Sequence, residues 1–598
     1  MDNKKLFHLG LCMAGSVSAG AYTAGVIDYL HEALENWEAT RGQADIPDHQ
    51  VVIDLLGGTS GGGIAAALAL FGLRDKVEHA TLDKDGVTYR VNKEKNIYWR
   101  TWVELTEGDV LTELLKSGDL KEGYIPSALN SAFIDEVAET LSNYFIEMAD
   151  ADIKTPPFLN QKAELFLSLF NVTGLKYKLS NKSGSNREQY ISEHRDVAHF
   201  RWSDKYSGDG RINISLQSPD NFELLKDSAK ATGAFPVGLK ARAIKRAAKY
   251  IWDNPFFQKN GKFDNASINL GKNKKGEEIR DAEDIYESLN SDGGVANNEP
   301  VELSRDIMLK MRIDQYKDIF TAKDPDKVSH TDKMQMKEKL NNSTVILIDP
   351  FPSVDFEIEA PKTKDAHLFS YAPKLIGAMR SQLLFDAKEA LDAYNKENYG
   401  LHLIAPSRED AKKPEYAIAC SCLEGFGGFF NKEFRIHDYF LGRRNCQGFI
   451  RKYFVVKLDE KQEYKCVENI IESYKKNEAA CKRFGFKDEN GDFVVPIIPD
   501  VSLTKAIKVV KPKGNEKVTY IENDRLPLYK LKPLSSNYFD AYRDQLKHRI
   551  RDIINFSYDG HWLIDLAIKA VAEKIDDRLA DRTVAYAIKD MKERGLIK

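Results

Sequence analysis

The sequence predicts an α/β core that carries long insertions and is followed by a largely helical C-terminal region. Three observations predict it. Two apolar runs near the N-terminus each enter a glycine-rich turn and then a small-residue helix. A long apolar run over 163–173 returns the chain to the same sheet. After about residue 362 the patterning becomes mainly helical.

In chain order, the first strand over 6–12 enters Ala14-Gly15-Ser16-Val17-Ser18-Ala19-Gly20, followed by a helix over 21–30. The second strand over 51–56 enters Gly58-Thr59-Ser60-Gly61-Gly62, followed by an Ala/Leu-rich helix over 64–70, which closes a βαβ unit by about residue 73. The polar stretch 76–95 and a mixed helical stretch to about 149 read as insertions. A strand over 163–173 and a helix containing 224–231 then lead to Phe235-Pro236. The segment 254–290 is charged and poor in apolar residues, and reads as a surface loop or flap before Asp292. Glu299-Pro300 opens a helix from Val301. The run 344–348, ending at Asp349-Pro350, is one more core strand.

Beyond it come an amphipathic helix over 373–394 and a segment over 423–454 dense in aromatics, glycine and arginine. In that segment Arg435, Asp438 and Arg443 read as a buried ion-pair network, an arginine on a lipid phosphate being the alternative. Final helices follow over 537–556 and 562–594. In the last, Ile564, Ile568, Val571, Ile575 and Leu579 form one apolar stripe, suited to a core or a partner helix; Asp576, Asp577 and Asp581 supply no basic flank for lipid. The lysine-rich 505–517 reads as a solvated loop, with anionic headgroups as the alternative contact. These boundaries divide the chain into a catalytic region over 1–355, with insertions near 74–160 and 254–290, an extension over 356–535 of mixed α/β or helical character, and C-terminal helices over 536–598.

Ser60 stands on a sharp turn between a strand and a helix, where the glycines at 58 and 62 remove Cβ atoms and the positive helix end favours developing negative charge. Such a serine is a candidate nucleophile; a turn that merely packs closely or binds an anion is the alternative. No Lys-Ser/Thr follows the glycines and no G-x-G-x-x-G with a downstream acidic residue is present, which argues against a nucleotide-binding loop. Asp292-Gly293-Gly294 makes a tight turn that can aim a carboxylate into a site, or a plain D-G turn. The loop at Gly15 and Ser16 can expose backbone amides to an oxyanion, one such donor being worth about 10²–10³ in rate, or it is an ordinary capped βα loop.

In this order along the chain, the loop at 14–20, Gly58-Thr59-Ser60-Gly61-Gly62 and Asp292-Gly293-Gly294 resemble the patatin-like phospholipases, bacterial members in particular. Gly20-Ala21-Tyr22-Thr23-Ala24-Gly25-Val26 is similar to the helix start after that family's oxyanion loop, and Ala231-Thr232-Gly233-Ala234-Phe235-Pro236 to the segment that precedes its aspartate. The resemblance covers roughly residues 5–350. It implies a three-layer α/β/α core, a catalytic Ser60–Asp292 dyad, an oxyanion hole at Gly15 and Ser16, an elbow held by Gly58 and Gly62, and Gly293 and Gly294 as motif support. It also implies a glycerophospholipid substrate and no cofactor. The loop departs from the family pattern, because Ala14 and Ser16 replace glycines and Ala19 takes the place of a basic residue. The segment 434–445 resembles one found after the core in larger bacterial members, where it covers the site.

Of 598 residues, 42% are hydrophobic and the net charge is −4, which argues against a dedicated nucleic-acid binder. Met1 to Lys5 leads straight into the first strand, so we expect no signal peptide and a cytoplasmic protein that meets phospholipid by peripheral contact at the inner membrane face. The longest apolar run is too short to span a bilayer. The six cysteines have no framework spacing and read as reduced. Zinc bound by Cys420, Cys422, His437 and Cys446 is weighed against no metal, and we adopt no metal.

The expected activity is that of a lipid acyl hydrolase. Two alternatives stay open: a Ser-Asp-His hydrolase whose base is His330, His367, His402 or His437, and a non-catalytic lipid-binding scaffold. Homo-oligomerisation or partner binding through the C-terminal helices is also left open.

Overall fold

The computed structural model describes residues 6–105, 109–149, 154–179, 189–216, 221–252, 268–315, 342–352, 401–458, 467–510, 518–556 and 562–598, with side chains of the last stretch described from 576. Among these, ten strands form the central sheet: β1 (Leu6–Met13), β2 (Gln50–Thr59), β3 (Leu159–Leu179), β4 (Gln189–Trp202), β5 (Ile212–Ile214), β6 (Arg242–Ala247), β7 (Ile268–Asn269), β8 (Ile285–Asp292), β9 (Ser343–Ile348) and β10 (Leu401–Ile404). The main path runs β10-β9-β1-β2-β3-β8-β6. It is parallel from β10 through β3 and antiparallel where β8 joins β3 and β6.

Alternation along β1 explains the layers. Phe7, Leu9, Leu11 and Met13 point into a core shared with α1 (Gly20–Thr40), α2 (Gly61–Gly72) and α4 (Phe222–Thr232). Cys12 and Ala14 point to the opposite face, where Val301, Leu303, Ile307 and Met308 of α5 (Val301–Gln315) pack. A buried chain pins that helix to the sheet: Arg312 contacts His8, whose Nδ1 meets Asp54 at 2.6 Å. The remaining long helices are α3 (Ala132–Ala149), α6 (Lys432–Lys452), α7 (Asp540–Phe556) and α8 (Trp562–Glu593).

Three expectations need correction. The segment 254–290 is not all loop, since Ile285–Asp292 is a sheet strand that delivers Asp292; its alternating burial hides among charged neighbours. The core also continues past residue 355, because β10 pairs with β9 and α6 packs on α1. Third, Arg435, Asp438 and Arg443 are buried but do not bind one another. Arg443 pairs with Asp28 and Glu32, Arg435 donates to the carbonyls of Val103 and Gly428, and Asp438 accepts from the amides of Ala419 and Cys420. The helix expected over 373–394 lies outside the described residues, as do the side chains of Ile564, Ile568, Val571 and Ile575. Leu579 is exposed.

Candidate active site

Strand β2 ends at Thr59, and Ser60 takes φ +56°, ψ −133° before α2 begins. A non-glycine residue held there is strained by on the order of 1–3 kcal/mol, so the contacts that hold it matter. Ser60 N donates to Thr232 Oγ1 at 2.9 Å, and Thr232 Oγ1 donates to the Ser168 carbonyl at 2.7 Å. Gly62 passes so close to the first loop that a Cβ there would collide with the carbonyls of Met13 and Ala14, and Gly58 faces the Met13 carbonyl in the same way. The elbow is therefore wedged between β1 and the 231–236 segment.

The same segment holds the carboxylate. Asp292 N donates to the Ala234 carbonyl at 3.0 Å and Ser291 Oγ donates to it at 2.8 Å. Strand β3 lies between the two candidates, with Ser168 opposite Thr59 and Leu169 opposite Asp292. Asp292 is buried, heads the 3-10 turn Gly293–Val295, and accepts from Gly294 N at 2.7 Å. A Cβ on Gly294 would sit 3.1 Å from Asp292 Oδ1 and 3.6 Å from Thr59 Cγ2, so both groups lie close to this glycine. Thr59 Oγ1 also donates to the Asn297 carbonyl at 3.0 Å.

The glycine-rich loop crosses this pair. A Cβ on Gly15 would meet Asn298 Oδ1 and lie 3.4 Å from Ser60 Cβ, so a side chain there would have to displace the Asn298 amide. Its amide, expected to face an oxyanion, donates instead to the Asn298 carbonyl at 3.0 Å. Ser16 is fully buried against Gly61, and its hydroxyl has no hydrogen-bond partner. Val17 holds φ +47°, unusual for a β-branched residue.

Ser60 and Gly61 form the floor of an apolar cavity of about 50 Å³. At about 10–15 Å³ per water-sized group it admits only a few methylenes without movement of its walls. The walls come from unexpected places: Thr101, Trp102 and Phe133 from the 74–160 insertion, and Phe429 from the extension. Next to it lies a polar cavity of about 1200 Å³ that shares Leu105 and Phe429 and is lined by charged groups of both signs, the basic Arg100, Lys432 and Arg435 among more numerous acidic ones such as Glu104, Asp109 and Asp135. The extension also clamps the loop. Ser18 Oγ donates to the Gly425 carbonyl and accepts from Gly428 N at 2.8 Å, while Leu423 and Glu424, both at positive φ, hold the turn. From α8, Asp590 accepts from Leu423 N at 2.8 Å. Long-range packing of this kind leaves no local pattern in sequence.

Of the candidate histidines, His402 sits on edge strand β10, three strands from β2 or about 14 Å at sheet spacing. It meets Thr344 Oγ1 at 3.0 Å, and burial pushes its ring down to about 4. His437 has both ring nitrogens engaged, Nδ1 with Asp438 at 2.7 Å and Nε2 with Arg408 at 3.2 Å. His330 and His367 lie outside the described residues. Among the described residues no group of three or more His, Cys, Asp or Glu is arranged to hold a metal ion, and Cys420, Cys422, Cys446 and Cys481 are free thiols. Nor is any helix among them long and apolar enough to cross a membrane.

The family model of the patatin-like phospholipases matches residues 11–304, a span that begins in β1, contains Ser60 and Asp292, and ends in α5. Residues 11–304 form a patatin-like phospholipase domain. The chain is also similar to the uncharacterized protein y4iI of Sinorhizobium fredii, with 27% identity over 495 residues. That similarity covers 76% of this chain and 65% of the relative, so it runs well beyond the patatin-like domain but spans only about two thirds of the relative's length.

Proposed function

We propose that the protein is a serine lipid acyl hydrolase of phospholipase A type, cleaving ester bonds of glycerophospholipids through Ser60 and Asp292. One observation carries the reading: a strained serine elbow forms the floor of an apolar cavity and shares the 231–236 staple with a buried aspartate. Asp292 takes the Ser60 proton as Ser60 Oγ bonds to the ester carbonyl carbon, and the carbonyl electron pair moves onto oxygen. Collapse breaks the ester C–O bond, and the leaving alcohol receives the proton from Asp292. Water, deprotonated by Asp292, then releases the fatty acid and restores Ser60 Oγ–H. No cofactor takes part.

The apolar cavity beside Ser60 suits the start of an acyl chain. Val237 lies between the cavity-lining Phe235 and Leu239, is 84% exposed and takes φ +64°. An apolar side chain held out at the rim supports peripheral contact with a lipid surface, at the inner membrane face if the protein is cytoplasmic. Incubation of the purified protein with phosphatidylcholine and phosphatidylglycerol vesicles should release free fatty acid and lysophospholipid. Vesicle binding without release of either product would favour the scaffold reading.

A further inference from the structure

We infer that the Ser16 hydroxyl is a catalytic donor that hydrogen-bonds the oxyanion, a role beyond the backbone amides of its loop. This rests on the hydrolase reading above. Ser16 is fully buried and its Oγ has no partner, whereas buried polar groups are nearly always paired, and an unpaired one is destabilising unless something else uses it. Its surroundings indicate the use. Residues 15 and 16 run along residues 60 and 61: a Cβ on Gly15 would lie 3.4 Å from Ser60 Cβ, and Ser16 Oγ occupies the space where a Gly61 side chain would stand. Gly61 is both a wall of the cavity and the first residue of the 12-residue helix α2, whose positive end favours an anion at this place.

The Gly15 amide is engaged by the Asn298 carbonyl, which leaves the loop one fewer backbone donor. A hydroxyl already desolvated and unpaired beside Gly61, the residue that follows the nucleophile, gains its hydrogen bond when negative charge develops on the substrate oxygen. It therefore lowers the barrier and leaves ground-state binding unchanged.

The test is Ser16→Ala, with Ser16→Gly as a second variant that also lacks the hydroxyl, assayed on a soluble short-chain ester. Both should lose about 10²-fold in kcat with KM within about twofold. Ser16→Ala should also keep or raise the thermal midpoint, because it deletes an unpaired buried hydroxyl; a merely structural serine would show the opposite, a lowered midpoint with kcat retained. Unchanged kcat in either folded variant, with the wild type active, overturns this role and leaves the hydrolase reading standing. Absence of wild-type turnover overturns both.

Discussion

Ser60→Ala should abolish ester hydrolysis, lowering kcat by on the order of 10⁴-fold or more, as removal of a serine nucleophile does in other hydrolases. Its thermal midpoint should barely move. The contact that holds the elbow runs through the Ser60 backbone amide to Thr232, which alanine retains, and alanine occupies φ +56° no less readily than serine. Steady-state turnover and thermal unfolding of the purified variant check both parts. Retention of more than a few per cent of activity would remove Ser60 from the mechanism.

Asp292→Asn should lower kcat by about 10³-fold or more while the protein stays folded, because the amide oxygen can still accept from Gly294 N and only the base is lost. The histidine variants separate a dyad from a triad. His402→Ala and His437→Ala should keep a substantial fraction of activity, since His402 is three strands away and His437 is engaged by Asp438 and Arg408. The same outcome is expected for His330→Ala and His367→Ala. A thousandfold loss in any one folded histidine variant would favour a triad instead.

The parts of this site that were legible in sequence are those whose chemistry is local. Glycines around Ser60 announce a backbone that tolerates no Cβ, and the short apolar runs of β1 and β2 announce strands with both faces covered. The strand that carries Asp292 was hidden, because charged residues on either side made 254–290 look like loop although Ser288, Asn290 and Ser291 are buried polar residues of the sheet. The cavity walls were illegible for another reason. Trp102, Phe133 and Phe429 are far apart in the chain, and only packing brings them to Ser60. The same holds for Ser18, whose partners lie about four hundred residues on at Gly425 and Gly428. Arg443 does sit in a buried ion-pair network, but charge and spacing within 435–443 do not reveal that its partners are Asp28 and Glu32 of α1. The glycine-rich pattern at 14–20 marks a loop, but which of its donors is engaged depends on Asn298, nearly three hundred residues away.

The central claim, that Ser60 is an activated nucleophile served by Asp292, is tested most directly by treating the full-length protein with a fluorophosphonate and mapping the adduct by peptide mass spectrometry. One adduct, on Ser60, is expected in the wild type, with labelling greatly slowed in Asp292→Asn and absent in Ser60→Ala. An unlabelled wild-type protein, or a label on another serine that persists in Ser60→Ala, would contradict the account.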